Sequence, residues 1–218
     1  MKRFYLLVEG QTEETFVRDL LVPHYSRLNL FLTPILLSTS PGHKGGVTSY
    51  GKVKRQIVRL CRQDGAAVVS TFLDLYGLPM DFPGRSDASY PKHGSGRQKA
   101  QFIESRLAED VAEQNFIPYL AVHEFEAMLF TQPQRFAAWS NSTEALQALN
   151  AIALAYATPE EINDDPKTAP SKRILELLPE YKKTLHGPLI AFDIGLDSLR
   201  NACPHFHDWL LRLEKFAS

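Results

Sequence analysis

Phe4-Tyr5-Leu6-Leu7-Val8-Glu9-Gly10-Gln11-Thr12-Glu13-Glu14 joins an unbroken apolar run of strand length to a polar segment with helix-start chemistry. A short apolar run that ends in a turn signal reads as a strand buried on both faces. Gly10 lets the chain turn, and Thr12 is placed to cap a helix that carries Glu13. Such a strand delivers Glu9 to the carboxyl edge of a sheet, where open α/β folds bind their ligands. Two carboxylates at that edge suit a hard divalent cation better than an apolar interior.

Working outward, the same alternation continues. Strand signals cover 32–37, 66–73 (ending at Asp74) and 116–122 (ending at His123-Glu124-Phe125-Glu126). Helical periodicity covers 13–21, stopping before Pro23, then 50–61 and 97–115. The pattern predicts an α/β fold, a Rossmann-like core whose mainly parallel sheet has four strands. Beyond Phe130 the strand signal disappears, and 143–157, 171–178 and 199–216 read as helices. The expected organisation is an α/β core over 1–130 and a helical C-terminal region over 131–218, packed on the core.

The chain has 218 residues, 44% hydrophobic and 22% charged, with a formal net charge of −1. That is ordinary for a globular protein, and no global basic field advertises nucleic acid. Cys61 and Cys203 offer neither a zinc spacing nor a disulfide framework and read as buried thiols. The first apolar run is too short for a signal peptide, and no stretch suits a transmembrane helix. A cytoplasmic protein with no membrane partner is expected.

Three strands end in acidic residues: Glu9, Asp74, and the pair Glu124 and Glu126. Strands of one parallel sheet finish on the same edge, so these carboxylates are expected to meet. Like charges brought together repel unless a cation joins them, which points to Mg²⁺ or Mn²⁺. Simpler roles compete. Glu9 caps a helix in one reading, and Glu13 pairs with Arg18 or Arg3. Asp74 opens a turn, and Glu124 and Glu126 complement a helix dipole.

The residues that carry this pattern resemble a known group. Leu6-Leu7-Val8-Glu9-Gly10-Gln11-Thr12-Glu13, with Asp74 closing a later strand, resembles the TOPRIM fold of topoisomerases, primases and overcoming-lysogenization-defect nucleases. Phe72-Leu73-Asp74-Leu75-Tyr76-Gly77-Leu78-Pro79, His123-Glu124-Phe125-Glu126-Ala127 and Ala169-Pro170-Ser171-Lys172-Arg173-Ile174 are similar to motifs of a bacterial family, domain of unknown function 4276. So are the stretches that begin at His186-Gly187-Pro188 and end at Cys203-Pro204-His205-Phe206. The resemblance covers nearly the whole chain. It implies a divalent-metal nuclease in which Glu9 is the general acid or base and Glu13 helps bind metal. The Asp-x-Asp motif of the fold falls on Asp74 and position 76, where this chain has Tyr76. On this resemblance either Glu124 or Glu126 supplies the missing carboxylate or the metal binds more weakly. The resemblance further implies a defence effector working with an ATPase partner and acting on nucleic acid, DNA before RNA. The alternative is a TOPRIM-like adaptor that binds an ATPase or nucleic acid without chemistry, and Tyr76 favours it.

Phosphoryl transfer also needs positive groups. Lys44 lies in a glycine-rich loop, and Lys92, His93, Arg97 and Lys99 lie at the end of the long 77–96 connection and just beyond it. Lys172 and Arg173 follow a helix start, where the dipole disfavours cations, so their placement asks for a reason. Lys172 is the candidate for meeting the scissile phosphate, Arg173 for the polynucleotide, and His123 for the catalytic histidine. The basic face of the 50–61 helix reads first as solvated charge.

Overall fold

A computed structural model describes residues 1–38, 47, 49–162 and 168–217. Among these, β1 (Lys2–Val8), β2 (Leu30–Leu36), β3 (Val68–Asp74), β4 (Phe116–Ile117) and β5 (Leu120–Ala121) form one parallel arrangement in the order β2-β1-β3-β4, with β5 also on β3. The alternation of side chains along a strand sends β1 residues Phe4, Leu6 and Val8 to one face and Leu7 to the other. α3 (Tyr50–Gln63) and α4 (Gly96–Val111) cover the Leu7 face with Val53, Ile57, Ile103 and Leu107. The opposite face is covered from both halves of the chain. It receives Phe16 of α1 (Gln11–Phe16), Ile190 of α7 (Lys183–Ile194) and Trp209 of α9 (Pro204–Glu214). Trp209 stacks on Tyr119 with 4.3 Å between ring centroids and donates its Nε1–H to Ser70 Oγ at 3.0 Å.

The fourth strand departs from expectation, because Pro118 splits it into β4 and β5. Proline has no N–H for the ladder, and side chains of β3 fill the gap. Ser70 Oγ donates to the Ile117 carbonyl, and Thr71 Oγ1 bridges the Tyr119 carbonyl and amide at 2.8 and 3.0 Å. The register survives the break: Ser70 pairs with Ile117 and Leu73 with Leu120.

Two helical expectations also change. The first helix does not stop before Pro23. A π-helical turn over Val17–Leu21 widens the helix, and α2 (Val22–Ser26) continues with Pro23 in its first turn, where its missing N–H costs little. The C-terminal 199–216 helix is instead two, α8 (Leu196–Ala202) and α9, divided at Cys203-Pro204. α5 (Thr143–Leu154) and α6 (Pro170–Leu177) fall where helices were expected. No helix among the described residues is long and apolar enough to cross a membrane.

Candidate metal and catalytic site

β1 lies between β2 and β3, so the chain's connections reverse direction there, and the crevice at that switch point is where α/β sheets bind ligands. Glu9 follows β1 and Asp74 ends β3 on its two sides. Glu9 Oε2 accepts the Asp74 N–H at 3.1 Å. Asp74 Oδ1 accepts the Phe125 N–H at 3.0 Å, tying β3 to the 3₁₀ turn Phe125–Thr131 that carries Glu126. Glu13 Oε2 accepts the Gly10 N–H at 2.9 Å and so caps its own helix. Glu124 Oε2 accepts the Ser171 N–H at the start of α6, at 3.0 Å. The pairings proposed for Glu13 do not form: Arg3 pairs with Asp64 and Arg18 with Asp19.

One cation lies among these carboxylates, and it is a residue the sequence reading passed over. Lys183, the first residue of α7, holds its Nζ 2.9 Å from Glu126 Oε2 and 3.9 Å from Asp74 Oδ2. Neither oxygen of Glu126, which is wholly buried, has a well-directed hydrogen bond, nor does the adjacent Tyr181 hydroxyl. The electrostatics follow from burial. Desolvation pushes Glu9 up to about 7, with Glu13 and Glu124 adding repulsion against the pull of the Asp74 N–H and Lys183. Glu126 is likewise pushed to about 7 by desolvation, against the pull of Lys183. Burial also raises Glu13, and it raises Asp74 further with Glu9 as the next cause. For Lys183 burial acts downward, but Asp74, Glu126 and Glu124 together raise it.

The other expected residues lie elsewhere. Tyr76 is 37% exposed, with its N–H bonded to the His123 carbonyl, and no contact carries its phenol into the cluster. His123 has φ of +65°, and its ring packs on the start of α4, where a Cβ on Gly96 would fall 3.0 Å from Nε2. Arg97 is ion-paired to Asp208. Arg173 donates to the Thr168 carbonyl at 2.7 Å and to the Tyr156 hydroxyl at 3.2 Å. Lys172, Lys92 and His93 are exposed, and Lys99 is half-buried. Lys44 lies outside the described residues.

The signal that would have found Lys183 was available. The dipole argument that singled out Lys172 applies equally to Lys183, a cation in the first turn of α7. It was missed because Gly187-Pro188 and an apolar surface on all sides hide that helix from a periodicity reading.

The family profile described as "Domain of unknown function (DUF4276)" matches residues 8–214. The chain belongs to this family. No curated protein matches this DUF4276 chain. Among solved structures it is similar to the C-terminal region of the Xanthomonas campestris pv. campestris OLD protein. Against the mercury-phased structure it is 16% identical, covering 97% of this chain and 98% of that chain, with a TM-score of 0.40. Against the platinum-phased structure identity is again 16%, covering 97% of this chain and 95% of that chain, with a TM-score of 0.42.

The donors fit a hard divalent cation in kind: they are all carboxylate oxygens, and those of the wholly buried Glu126 have Lys183 at 2.9 Å but no well-directed hydrogen bond. They are not yet arranged around one point, because among the described residues no three His, Cys, Asp or Glu side chains form a ready metal-holding group.

Proposed function

We propose that this DUF4276 protein is a divalent-metal-dependent nuclease of TOPRIM type. The observation that carries the reading is the group Glu9, Glu13, Asp74, Glu124 and Glu126, buried or half-buried about Lys183 at the switch point of a parallel sheet. A hydrophobic core does not retain five such carboxylates without a task. Asp74, Glu9 and Glu126 would hold Mg²⁺ or Mn²⁺, with Glu13 and Glu124 supporting. Glu126 takes the place left by Tyr76 in the Asp-x-Asp motif. When bound, the cation supplies Lewis-acid stabilisation of charge on phosphoryl oxygens.

The protein's own residues supply the rest. Glu9, with a pKa of about 7, is poised to take or give a proton at neutral pH. Lys183, on a half-exposed stem, neutralises the cluster when no metal is present and is free to swing toward a phosphate when one is. The Glu13 cap and the Glu124 bond to α6 hold two carboxylates in place while the others adjust. The polynucleotide substrate, a defence role and an ATPase partner belong to the same proposal.

A second reading has an observation of its own. Lys183 already neutralises part of the cluster, as it would in an adaptor that binds an ATPase or nucleic acid without chemistry. Calorimetric titration with Mn²⁺ separates the two. The nuclease reading expects binding by the wild type that Glu9→Gln and Asp74→Asn each weaken at least tenfold. It also expects cleavage of plasmid DNA that falls at least a thousandfold in both variants. Wild-type protein that neither binds Mn²⁺ nor cuts selects the adaptor.

A further inference from the structure

α3 carries Lys52, Lys54, Arg55, Arg59 and Arg62 and no acidic residue, in a chain whose net charge is −1. Lys54 is paired with Asp110 of α4 at 2.9 Å, and Arg62 with Glu113, two residues beyond the end of α4, at 2.8 Å. Arg55 and Arg59 are not. Both are exposed, and among the described residues neither has a carboxylate partner. They stand one helical turn apart between two shallow depressions. One, about 660 Å³, is lined by Lys54, Arg55, Val58, Arg59, Arg62 and Gln63. The other, about 320 Å³, is lined by Ser38, Lys52, Arg55, Gln56 and Arg59.

The second depression begins at the carboxyl edge of the sheet. Ser38 lies just past the end of β2 and is held by Gln56, whose Nε2 donates to Ser38 Oγ at 2.9 Å. The β1–β2 register pairs Val8 with Leu36, so the backbones of Glu9 and Leu37 lie side by side, one strand spacing of roughly 4.8 Å apart, while the Glu9 carboxylate turns to the Asp74 N–H on the β3 side. Arg55 reaches back toward the start of α3, its Nη1 lying 3.7 Å from where a Cβ on Gly51 would be. A row of cations therefore starts at the same sheet edge as Glu9 and runs down the outer face of α3, on the face of the sheet opposite α1 and α7.

We infer that this face, through Arg55 and Arg59, binds the phosphate backbone of the DNA strand that the carboxylate site acts on. The substrate rests on the nuclease reading, and the location on the exposed guanidinium groups of Arg55 and Arg59. Arg55 and Arg59 stand four residues apart, about 6 Å of helix rise, and two neighbouring guanidinium groups without carboxylate partners are complementary in charge and hydrogen-bond donors to the successive phosphates of a DNA strand. Binding through backbone charge is independent of sequence and sensitive to salt.

The test is fluorescence anisotropy with a labelled 30-base-pair DNA duplex of arbitrary sequence, and its single strand, in EDTA so that no cleavage intervenes. The full-length wild type is compared with Arg55→Ala/Arg59→Ala and Arg55→Lys/Arg59→Lys. The expected result is a loss of at least tenfold in affinity for the alanine pair, with the slope of log affinity against log salt shallower by about 2. The lysine pair retains most of the affinity, and Mn²⁺ binding by calorimetry is the same in all three. Equal affinity and slope in wild type and alanine pair overturn the inference, as does a wild type that binds neither probe. The two readings fail separately. Metal binding and cutting that persist alongside unaltered DNA affinity in the alanine pair remove the cationic row and leave the nuclease. Affinity lost in the alanine pair of a protein that neither binds Mn²⁺ nor cuts removes the nuclease and leaves the cationic row.

Discussion

The molecule buries two groups of carboxylates to similar depth and treats them differently. Glu104 and Glu160, 5% and 4% exposed, lie between α4 and α9. Glu160 accepts the His205 and Phe206 N–H groups at 2.8 and 2.9 Å, capping α9 with both oxygens. Glu104 accepts the Leu120 N–H at 2.8 Å, meets His205 Nε2 at 2.9 Å, and has Arg212 at 3.6 Å. At the sheet edge, Asp74 and Glu126 are 6% and 0% exposed, yet four of the five carboxylates there have one backbone N–H each and Glu126 has none. A buried carboxylate with a full set of donors holds helices together. A buried carboxylate that lacks them is held in an unfavourable state by the fold, and such states concentrate where a ligand completes them.

The largest effect that sharpens this contrast is structural. Glu104→Ala strands the Leu120 N–H and leaves His205 and Arg212 without their shared acceptor. Removing one partner of such a buried network is expected to cost about 3 kcal/mol, read from urea unfolding at pH 7. Mn²⁺ binding by the folded variant stays at the wild-type value. A loss under about 1 kcal/mol would mean that the satisfied group is no more structural than the strained one.

How far this contrast was legible beforehand depends on the distance over which each signal acts. Phe4 to Val8 and the run ending at Asp74 declare buried strands locally, and strands of a parallel sheet share an edge, so the positions of Glu9 and Asp74 followed from neighbours in sequence. The break at Pro118 was readable as a missing donor but not its repair, which uses Ser70 and Thr71 from another strand. Pro23 was read as a stop because the π-helical turn that accommodates it leaves no local pattern. The distinction between satisfied and strained carboxylates was not legible at all. Glu104 and Glu160 look like ordinary helix-surface residues until α9 arrives, and Lys183 meets Asp74 only after the chain has folded back over a hundred positions.

A second effect reads the edge cluster by pH, although burial also raises Glu160 of the other group against the pull of its two N–H donors. The folded pKa of Glu9 and of Glu126 is about 7, against 4.5 for the unconstrained side chain. Between those values the folded state holds more protons than the unfolded one, so stability falls as pH rises. The extra stability of the protonated cluster is fully present below about 4.5 and is lost as pH climbs through 7. One group changes stability by at most about 1.4 kcal/mol per pH unit, and residual solvation and compensation by Lys183 reduce this, so a fall of about 2 kcal/mol from pH 5 to pH 7 is expected. Millimolar Mn²⁺ should reverse the fall at pH 7 and do nothing at pH 5, because only the ionised cluster offers ligands. A flat or rising profile in urea melts over this range would contradict the strain assigned to the edge cluster.

The smallest effect is also the most local. Glu126→Gln keeps the shape of the side chain and removes one ionisation from a site with no exposure and no directed hydrogen bond. Well below pH 4.5 the side chain is protonated in both the folded and the unfolded wild type, so the stabilities of the two versions should agree there. At pH 7 the unfolded wild type is ionised at that position while the folded side chain is held about half-protonated, a penalty the variant lacks, so the variant should be more stable by about 1 kcal/mol. The gain is limited because Lys183 loses its 2.9 Å partner and keeps only Asp74 and the more distant carboxylates. The same substitution should weaken Mn²⁺, since Glu126 is the ligand assigned to replace the aspartate missing at Tyr76. A variant more stable at neutral pH yet poorer in metal is what a side chain retained for binding predicts. If Glu126→Gln instead costs stability at pH 7, the Lys183–Glu126 pair is a structural bond like those of Glu104, and the metal must be held by Glu9, Asp74 and Glu13 without it.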